Sequence, residues 1–359
     1  MKLLYLTNVQ IPAENAQNLQ IQSMSRAFFD TLKEDFLLIS PWNEKNKAMD
    51  NSYPWKKIKI PQQLPRSIRQ LIFILKTRKT VHDFCPDVIY TRDIAIAWFF
   101  RMFGFQTIYE IHKPFETTIG NMIFKMMAKK IKIVAISQSL KDFIIEKYNL
   151  NADNILVAHD GVDLQDFDLL ENKIQLREKY FGDLANKFIV LYSGSLQSGK
   201  GVDLIIKSAK DLPEICFVII GGSLNEIDTF KDVPSSNVYF LGRMPQKQVP
   251  AFLKAADLLI LPMNKNLSYG AYSSPLKLFE YMASETPILA SDFGAIREVL
   301  NEENAFLFDP DNVNDLVEKI KYIRDNNEKA RKIAKESFEL VKEYSWQKRA
   351  DKIKFFINL

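Results

Sequence analysis

Residues 269–290 form a stretch whose residue types and spacing suit ligand binding. A small-residue loop leads into a predicted helix, with Ser273 or Ser274 as the N-cap and Pro275 in the first turn. Residues 287–290 then read as a buried parallel strand. A helix that begins after such a loop has unpaired backbone N–H groups at its N-terminus, and these groups bind anions.

Two charged residues extend this predicted anion site. Lys277 adds a positive charge near the start of the helix, and Glu280 is a carboxylate that can accept hydrogen bonds from two neighbouring ribose hydroxyls. A phosphate and a ribose together indicate a nucleotide. An ordinary capped helix with a solvated lysine and glutamate explains the same residues, so both interpretations stay open on this stretch alone.

A second segment with glycine and lysine follows a predicted strand. Gly194 to Lys200 fits G-x-x-x-x-G-K, the phosphate loop of nucleoside triphosphatases, but Gly201 stands where Ser or Thr must hold Mg²⁺. The triphosphatase interpretation is therefore disfavoured. The glycines still let the backbone approach an anion and Lys200 supplies a point charge, so the loop suits a diphosphate. A plain tight turn before a helix is the alternative.

His112 lies just beyond a predicted strand, where a polar side chain of an open parallel sheet faces the ligand crevice. Histidine in that place can form hydrogen bonds or transfer protons, and a structural histidine is the competing interpretation. The three histidines and two cysteines are scattered, so a zinc site is not expected.

Short apolar runs alternate with helical patterns in both halves of the chain, and the polar segment 160–186 between them reads as a domain connection. Strands separated by helices at this spacing indicate βαβ units, and two successive Rossmann-like halves predict an α/β protein with parallel sheets facing a central cleft. The predicted strands are residues 3–6, 36–39, 88–90, 107–109, 131–136, 155–158, 188–192, 215–220, 238–241, 257–261, 287–290 and 305–308. The predicted helices include residues 16–32, 67–81, 94–103, 119–128, 137–148, 202–209 and 246–255. A serine cap opens the one over 137–148, and of three more at the end of the chain the last starts at Ser345-Trp346. A Pro- and Trp-containing loop is predicted after strand 36–39.

Composition agrees with a protein of two soluble domains. The chain has 359 residues, of which 47% are hydrophobic and 26% charged, enough to bury two cores. Its net charge of +4 is too small to indicate nucleic acid by itself. Cys85 and Cys216 lie far apart in apolar contexts, which predicts reduced core thiols. With no predicted signal peptide or membrane-spanning run, a cytoplasmic location is expected.

One segment of the first half is unusually basic. Between Trp55 and Thr80 there is no Asp or Glu, and the cations are Lys56, Lys57, Lys59, Arg66, Arg69, Lys76, Arg78 and Lys79. Ile68, Leu71, Ile72 and Leu75 recur there at helical spacing. A nucleic-acid patch lacks a recognised fold signature.

Two interpretations of this basic helix remain. It can pack on the sheet through Leu71 and Leu75, with a solvated basic face. Alternatively, Leu64, Pro65 and Phe73 meet the acyl boundary of an anionic membrane while the cations meet its headgroups. The basic-apolar stretch 122–132 can extend that surface. We predict peripheral contact with the inner face of a membrane.

Nearly the whole chain resembles the retaining glycosyltransferases of glycosyltransferase family 4, which have the GT-B fold. The motifs that carry the resemblance are Gly194 to Gly201, Gly242-Arg243-Met244, Ser274 to Glu280, Pro287 to Ala290, Ser345-Trp346 and the turn His159 to Asp163.

The resemblance implies a role for each matching residue. Lys200 is expected to contact the donor diphosphate, and Glu280 the ribose hydroxyls. His112 matches a histidine near the transferred sugar. The other expected donor-binding residues are Gly194, Ser195, Arg243 and Met244 (the last two near the base), and Ser273, Ser274, Pro275, Leu276 and Lys277 beside the diphosphate and sugar.

The resemblance also implies an N-terminal acceptor domain, residues 1–165 joined by 345–359, and a C-terminal donor domain, residues 166–344. The implied reaction moves a hexosyl group from a nucleotide diphosphate sugar, with UDP as the expected nucleotide, to a hydroxyl of a glycan or lipid-linked acceptor, with retention. Lys200, Lys277 and helix amides would stabilise the leaving diphosphate, with His112 near the sugar and no metal or cofactor required. Synthesis of a bacterial-type surface polysaccharide or glycolipid is the expected setting.

Two positions depart from the family pattern, because Tyr272 stands where a glutamate is usual and Ser195 where an arginine is usual. Two other classes therefore stay open. One is a GT-B sugar-nucleotide epimerase or hydrolase, which acts without an acceptor. The other is a catalytically weak partner subunit that binds donor or lipid.

Overall fold

The computed structural model describes residues 1–13, 15–42, 52–230, 236–265 and 270–358. Tyr269, the first residue of the predicted nucleotide stretch, lies outside these ranges. The chain divides into two compact units, one of Met1–Asp160 with Trp346–Leu359 and the other of Gly161–Ser345. Among the described residues, no helix is both long and apolar enough to cross a bilayer.

The first unit is built on a sheet of seven parallel strands in the order β3-β2-β1-β4-β5-β6-β7. The strands are β1 Leu3–Leu6, β2 Phe36–Pro41, β3 Trp55–Ile58, β4 Val88–Thr91, β5 Thr107–Ile111, β6 Lys132–Ala135 and β7 Ile155–Val157. The helices between them are α1 Ala16–Leu32, α2 Arg66–Phe84, α3 Ile94–Met102, α4 Thr118–Met127 and α5 Gln138–Tyr148.

The direction of each connection decides which face of this sheet a helix covers. The connection through α1 runs from β1 to β2, opposite to those through α2, α3, α4 and α5, so right-handed crossovers place α1 on the opposite face from those four helices. Side chains of β1 alternate accordingly: Tyr5 meets Phe28 of α1, whereas Leu4 belongs to the cluster that contains Phe73 of α2. The strand order reverses between β1 and β4.

The second unit has a sheet of six parallel strands in the order β10-β9-β8-β11-β12-β13. Its strands are β8 Phe188–Ser193, β9 Ile215–Ile220, β10 Val238–Gly242, β11 Leu258–Leu261, β12 Ile288–Ser291 and β13 Phe306–Phe308. Its helices are α6 Lys173–Phe181, α7 Val202–Ala209, α8 Leu224–Asp228, α9 Val249–Ala255, α10 Leu276–Ala283, α11 Val313–Asp325 and α12 Asn327–Val341. The strand order reverses between β8 and β11.

Helix α13, Trp346–Asn358, belongs to the first unit and packs against α1. Its predicted start at Ser345-Trp346 and the predicted serine N-cap of α5 are confirmed, the latter by a 3.1 Å bond from Leu140 N to Ser137 Oγ. The predicted α/β fold with two Rossmann-like parallel sheets is confirmed as well.

Two elements differ from the prediction because their sequences are too polar to show a periodic pattern. Strand β3 was assigned to a loop; it is an edge strand with two exposed lysines in the middle. Segment 160–186 was interpreted as a connection, yet it contributes α6 to the second unit. Only Leu176 and Phe181 of that nine-residue helix are buried.

Three predictions of local detail are wrong. Helix α10 begins at Leu276 with Pro275 as its N-cap, because the Ser273 hydroxyl instead donates to Gly270 O at 3.1 Å, within the preceding turn. Cys85 is exposed at the end of α2, whereas Cys216 is buried as predicted. In α2 the buried residues include Phe73 and Ile74, so Phe73 is unable to meet a membrane; the exposed residues are Ile68, Leu71 and Leu75.

Candidate active site

The loop after β8 carries the predicted diphosphate site. A side chain at Gly201, where φ is +76°, would overlap the carbonyl oxygen of Pro262, so glycine is required where this loop meets the end of β11. At Gly194, where φ is +149°, a Cβ atom would lie 2.5 Å from Nζ of Lys277. The glycines therefore let the Lys277 amine rest directly on the backbone of the loop.

Lys277 is held by the strand as well as by the loop. Its Nζ lies 4.0 Å from the centre of the Tyr192 ring, at the end of β8. Tyr281, one turn further along α10, accepts a hydrogen bond from Ser193 N at 2.8 Å. The helix is thereby fixed against the end of β8, and its second residue points at the loop.

The electrostatics of Lys277 favour an anionic ligand. Burial lowers the pKa of Lys277 well below its ordinary value, and the like charge of Lys200 lowers it further, against a smaller opposite influence of Glu280. Two cationic side chains thus converge on one glycine-containing loop. A bound anion would offset their repulsion and favour the charged form of Lys277.

Glu280 lies one turn after Lys277 on the same helix. Its Oε1 accepts a hydrogen bond from Gln246 Nε2 at 2.8 Å. Burial raises the pKa of Glu280, opposed by Gln246 and by Lys277. The carboxylate is thus oriented by a residue that follows β10.

The remaining residues predicted to bind the donor lie on the connections around Lys277 and Glu280. Met244 follows β10 and is partly buried against the core, and Arg243 acts electrostatically on Glu226 of α8. Ser274 is buried and Ser273 is half-buried in the turn before α10, followed by Pro275 as N-cap and Leu276 as the first helical residue. Ser195 accepts a hydrogen bond from the Tyr192 hydroxyl through its carbonyl, at 2.8 Å.

His112 belongs to the first unit and lies in a separate buried polar cluster. Its Nε2 is in short contact with Oε1 of Glu110, and Gln20 Nε2 approaches both groups, at 2.8 Å from Glu110 and 3.4 Å from His112. The other Glu110 oxygen accepts from the Tyr90 hydroxyl and from Arg349 Nη2 of α13, the latter at 3.0 Å.

The charged groups within this cluster balance one another. Burial acts to raise the pKa of Glu110, but Arg349 and His112 outweigh it and hold the pKa at about 2. Burial, with Arg92 as the next cause, lowers the pKa of His112. We infer a neutral imidazole beside an ionised carboxylate, with its ring orientation fixed by that carboxylate.

Sequence reasoning missed most partners of the predicted residues. Tyr192 and Gln246 sit in ordinary positions of a strand and a loop, and only the folded register brings them to Lys277 and Glu280. Glu110 did carry a signal, since it is an acidic residue inside an apolar strand two residues before His112. Arg349 lies 239 residues away from Glu110 and carried none. Within the described ranges, no group of three or more His, Cys, Asp and Glu residues has the arrangement of a metal site.

Both units match families of known proteins. Residues 177–340 match Glycosyl transferases group 1, and residues 35–166 match Glycosyltransferase Family 4. The uncharacterized glycosyltransferase MJ1069 of Methanocaldococcus jannaschii is 30% identical over 250 residues, 64% of this chain and 60% of that protein. Sulfoquinovosyl transferase SQD2 of Arabidopsis thaliana is 22% identical over 314 residues, 82% of this chain and 60% of that protein.

The fold is shared with solved structures. The crystal structure of Anabaena HepE in complex with UDP and glucose has a TM-score of 0.79 at 18% identity, covering 100% of this chain and 99% of that one. Both units thus match glycosyltransferase family models, and the chain has the GT-B fold of this solved structure. The chain spans about 60% of the length of the two curated relatives it matches above.

Proposed function

We propose that this protein is a glycosyltransferase that moves a hexosyl group from a UDP-linked sugar to a hydroxyl acceptor with retention of configuration. The observation that carries the proposal is the placement of the Lys277 amine on the Gly194 backbone, with Lys200 close enough to lower its pKa. One turn of helix separates this anion site from the Glu280 carboxylate, which suits a diphosphate followed by a ribose. HepE, which has the same fold, binds UDP and glucose.

The proposed mechanism is electrostatic. Negative charge grows on the leaving diphosphate as the glycosyl bond breaks, and we assign its stabilisation to Lys200, Lys277 and the N-terminal amides of α10. Glu280 is engaged by Gln246 and assigned to the ribose, so it is a poor candidate for a nucleophile. We therefore favour same-face substitution assisted by the leaving diphosphate over a covalent glycosyl-enzyme intermediate.

His112 is proposed to contact the transferring sugar. With Nε2–H donated to the ionised Glu110, Nδ1 carries a lone pair and can accept a hydrogen bond from a sugar hydroxyl. The side chain is 22% exposed, so a ligand can reach it. The first unit would then bind the acceptor and the second unit the donor.

The acceptor is proposed to be lipid-linked, in the synthesis of a surface polysaccharide or glycolipid at the cytoplasmic face of a membrane. Helices α2, α3 and α4 cover the same face of the first sheet, and the exposed Ile68, Leu71 and Leu75 lie on α2 among its cations. Exposed Ile119, Met122 and Met126 recur at the same i, i+3, i+7 spacing on α4. We call these six residues the apolar stripes.

The cations beside the apolar stripes favour an anionic membrane as the partner, because their charge is complementary to its headgroups. The stripes can enter the acyl boundary while neighbouring lysines and arginines meet the headgroups. Arg78, stacked 5.3 Å from the centre of the Phe103 ring at the end of α3, joins the charged side of α2 to the next helix.

The test of the reaction is nucleoside diphosphate release from a panel of sugar nucleotides, with and without acceptors. Release that requires an acceptor, with the α-configuration kept in the product of an α-linked donor, supports the proposal. Release or isomerisation without any acceptor would instead identify an epimerase or hydrolase. Donor binding without turnover across the panel would identify a catalytically weak partner subunit, as Tyr272 and Ser195 suggest.

A further inference from the structure

The first unit contains a pocket of about 450 Å³ that none of the roles above uses. It lies at the carboxyl ends of the strands, between the loop after β1 and the residues that follow β4. The strand order reverses between those two strands, and open α/β sheets bind ligands at such a reversal.

The pocket is rich in positive charge. Its lining includes three arginines and one acidic residue: Arg66, Arg69, Arg92 and Asp93. The acid is already engaged, since Asp93 Oδ1 accepts from the backbone of Ala95 and Ile96 at the start of α3 and from Gln70 at 2.5 Å. The lining therefore has a surplus of cations over acids.

Two of these guanidinium groups have hydrogen-bonding capacity left over. Arg69 donates from Nη1 to Gln62 at 2.7 Å, and its buried Nε has no hydrogen-bond partner among the described residues. Arg92, whose side chain is 9% exposed, donates from Nη1 to Gln20; its buried Nε has no hydrogen-bond partner in the described ranges and forms an ion pair with Oε1 of Glu110 at 3.8 Å. Guanidinium forks of this kind recognise phosphate oxygens.

A short chain of contacts links the pocket to His112. Gln20 accepts from Arg92, donates to Glu110 and lies 3.4 Å from the imidazole. An acceptor anchored in the pocket by an anionic group would thus have its neighbouring sugar close to His112. Amide side chains of Asn8, Gln10, Gln17 and Gln62 also line the pocket and suit hydroxyl groups.

We propose that this pocket binds the phosphate group of a phosphorylated acceptor, which rests on the proposed function and specifies its acceptor class. The phosphate of a soluble sugar phosphate and that of a lipid phosphate share this chemistry. Arg66 and Arg69 at the first turn of α2 would hold the phosphate, with Arg92 beneath it.

The experiment measures binding rather than turnover, so its result does not depend on the proposed reaction. Full-length protein carrying Lys200→Ala and Lys277→Ala is used, because these substitutions weaken anion binding by the loop of the second unit. Isothermal titration compares inorganic phosphate, glucose 6-phosphate and farnesyl phosphate with glucose and farnesol. The three phosphates are expected to bind and the two neutral compounds to bind at least tenfold more weakly.

Variants of the pocket then locate the phosphate. Arg69→Gln and the exposed Arg66→Gln are each expected to weaken phosphate binding by about tenfold, with Arg69→Lys intermediate because it keeps the charge and loses the fork. Arg101→Gln, on the exposed end of α3, is the matched control and should change nothing. Tighter binding of glucose 6-phosphate would assign a soluble acceptor, and tighter binding of farnesyl phosphate a lipid-linked one. Equal binding of phosphorylated and neutral compounds, or phosphate binding that is unchanged in Arg66→Gln and Arg69→Gln, would overturn the proposal.

Discussion

Lys277 and Glu110 differ in whether neighbouring groups balance their charge. In the second unit, burial lowers the pKa of Lys277, and the like charge of Lys200 adds to that shift more than the opposite charge of Glu280 opposes it. In the first unit, Glu110 is surrounded by an arginine, a tyrosine hydroxyl, an amide and an imidazole, and stays ionised.

The contrast separates two kinds of site. A group of charges that lacks internal compensation gains stability when a ligand of opposite charge arrives, so it favours binding. A compensated group is already organised before the ligand arrives and can hold one side chain in a fixed orientation. We infer that the Lys277 site gains its counter-charge from the donor, whereas the Glu110 cluster serves to position His112.

The largest effect is expected from breaking the compensated cluster. Arg349→Met leaves Glu110 without its principal cation in a buried place, and removing one partner of such a pair destabilises a protein by about 3–5 kcal/mol. Urea unfolding measures the loss for the first unit. Lys352→Met, an exposed cation on the same helix, should stay within about 0.5 kcal/mol of the parent. Similar stabilities for the two variants would show that Glu110 is not held by Arg349.

The next largest effect is expected from removing His112, the residue that the Glu110 cluster positions. His112→Ala is expected to lower kcat by about a hundredfold if the imidazole transfers a proton, and by about tenfold if it only donates or accepts a hydrogen bond. The Kd for UDP should stay unchanged, because the nucleotide is assigned to the second unit. Unaltered turnover would return His112 to a structural role within the Glu110 cluster.

The uncompensated site is expected to respond according to ligand charge. Lys200→Ala should weaken UDP binding by about tenfold or more while leaving uridine binding nearly unchanged, since it removes a charge-assisted contact to phosphate. Glu280→Gln should weaken both ligands, because they share the ribose. Titration calorimetry of each variant with UDP and with uridine tests this. Equal losses of affinity for both variants with both ligands would contradict the assignment of Lys200 to the diphosphate and Glu280 to the ribose.

A smaller, pH-dependent effect follows from the lowered pKa of Lys277. A bound diphosphate favours the charged amine, so UDP binding should raise this pKa and take up a fraction of a proton. UDP affinity should therefore fall as pH rises through the lowered pKa of the free protein. Calorimetry in two buffers of different ionisation enthalpy measures the uptake. Lys277→Arg stays protonated and should abolish it; identical uptake in the variant would place the proton elsewhere.

The smallest effects per side chain are expected at the apolar stripes and the cations beside them. Binding to anionic vesicles should fall with salt, and Lys76→Gln with Lys79→Gln should weaken it by about 1 kcal/mol per cation. Leu71→Ser with Leu75→Ser should weaken it further through lost apolar contact. Ile174→Ser with Leu224→Ser, two exposed apolar residues of the second unit, form the matched control. If the protein fails to co-sediment with anionic vesicles at low salt, membrane contact is contradicted and the acceptor is expected to be soluble.

The parallel strands were predictable because a buried strand of an α/β protein is a continuous apolar run. Strand β3 was not predicted, because an edge strand needs few apolar residues. Helix α6 was not predicted either, because it buries only Leu176 and Phe181. The start of α10 was misplaced because the Ser273 hydroxyl had two local bonding choices, and the preceding turn used it.

The candidate donor site was partly predictable for a geometric reason. Lys277 and Glu280 are three residues apart on one helix, so their proximity follows from helical spacing alone. Tyr192 under Lys277 and Gln246 beside Glu280 depend on how separate elements align, which local patterns do not contain. The apolar spacing of α2 was found, but its orientation was not, because its sequence has both a stripe that faces the sheet and one that faces outward.

The placement of Arg349 has a consequence for how the protein is made. The first unit holds residues up to Asp160 and then helix α13, with the whole second unit encoded between them. At about 5–20 residues per second, a ribosome takes on the order of ten to forty seconds to synthesise that intervening stretch. During this interval Glu110 has left the ribosome while its arginine does not yet exist. The nascent first unit must therefore wait, with Glu110 lacking its principal cation, until the second unit has emerged.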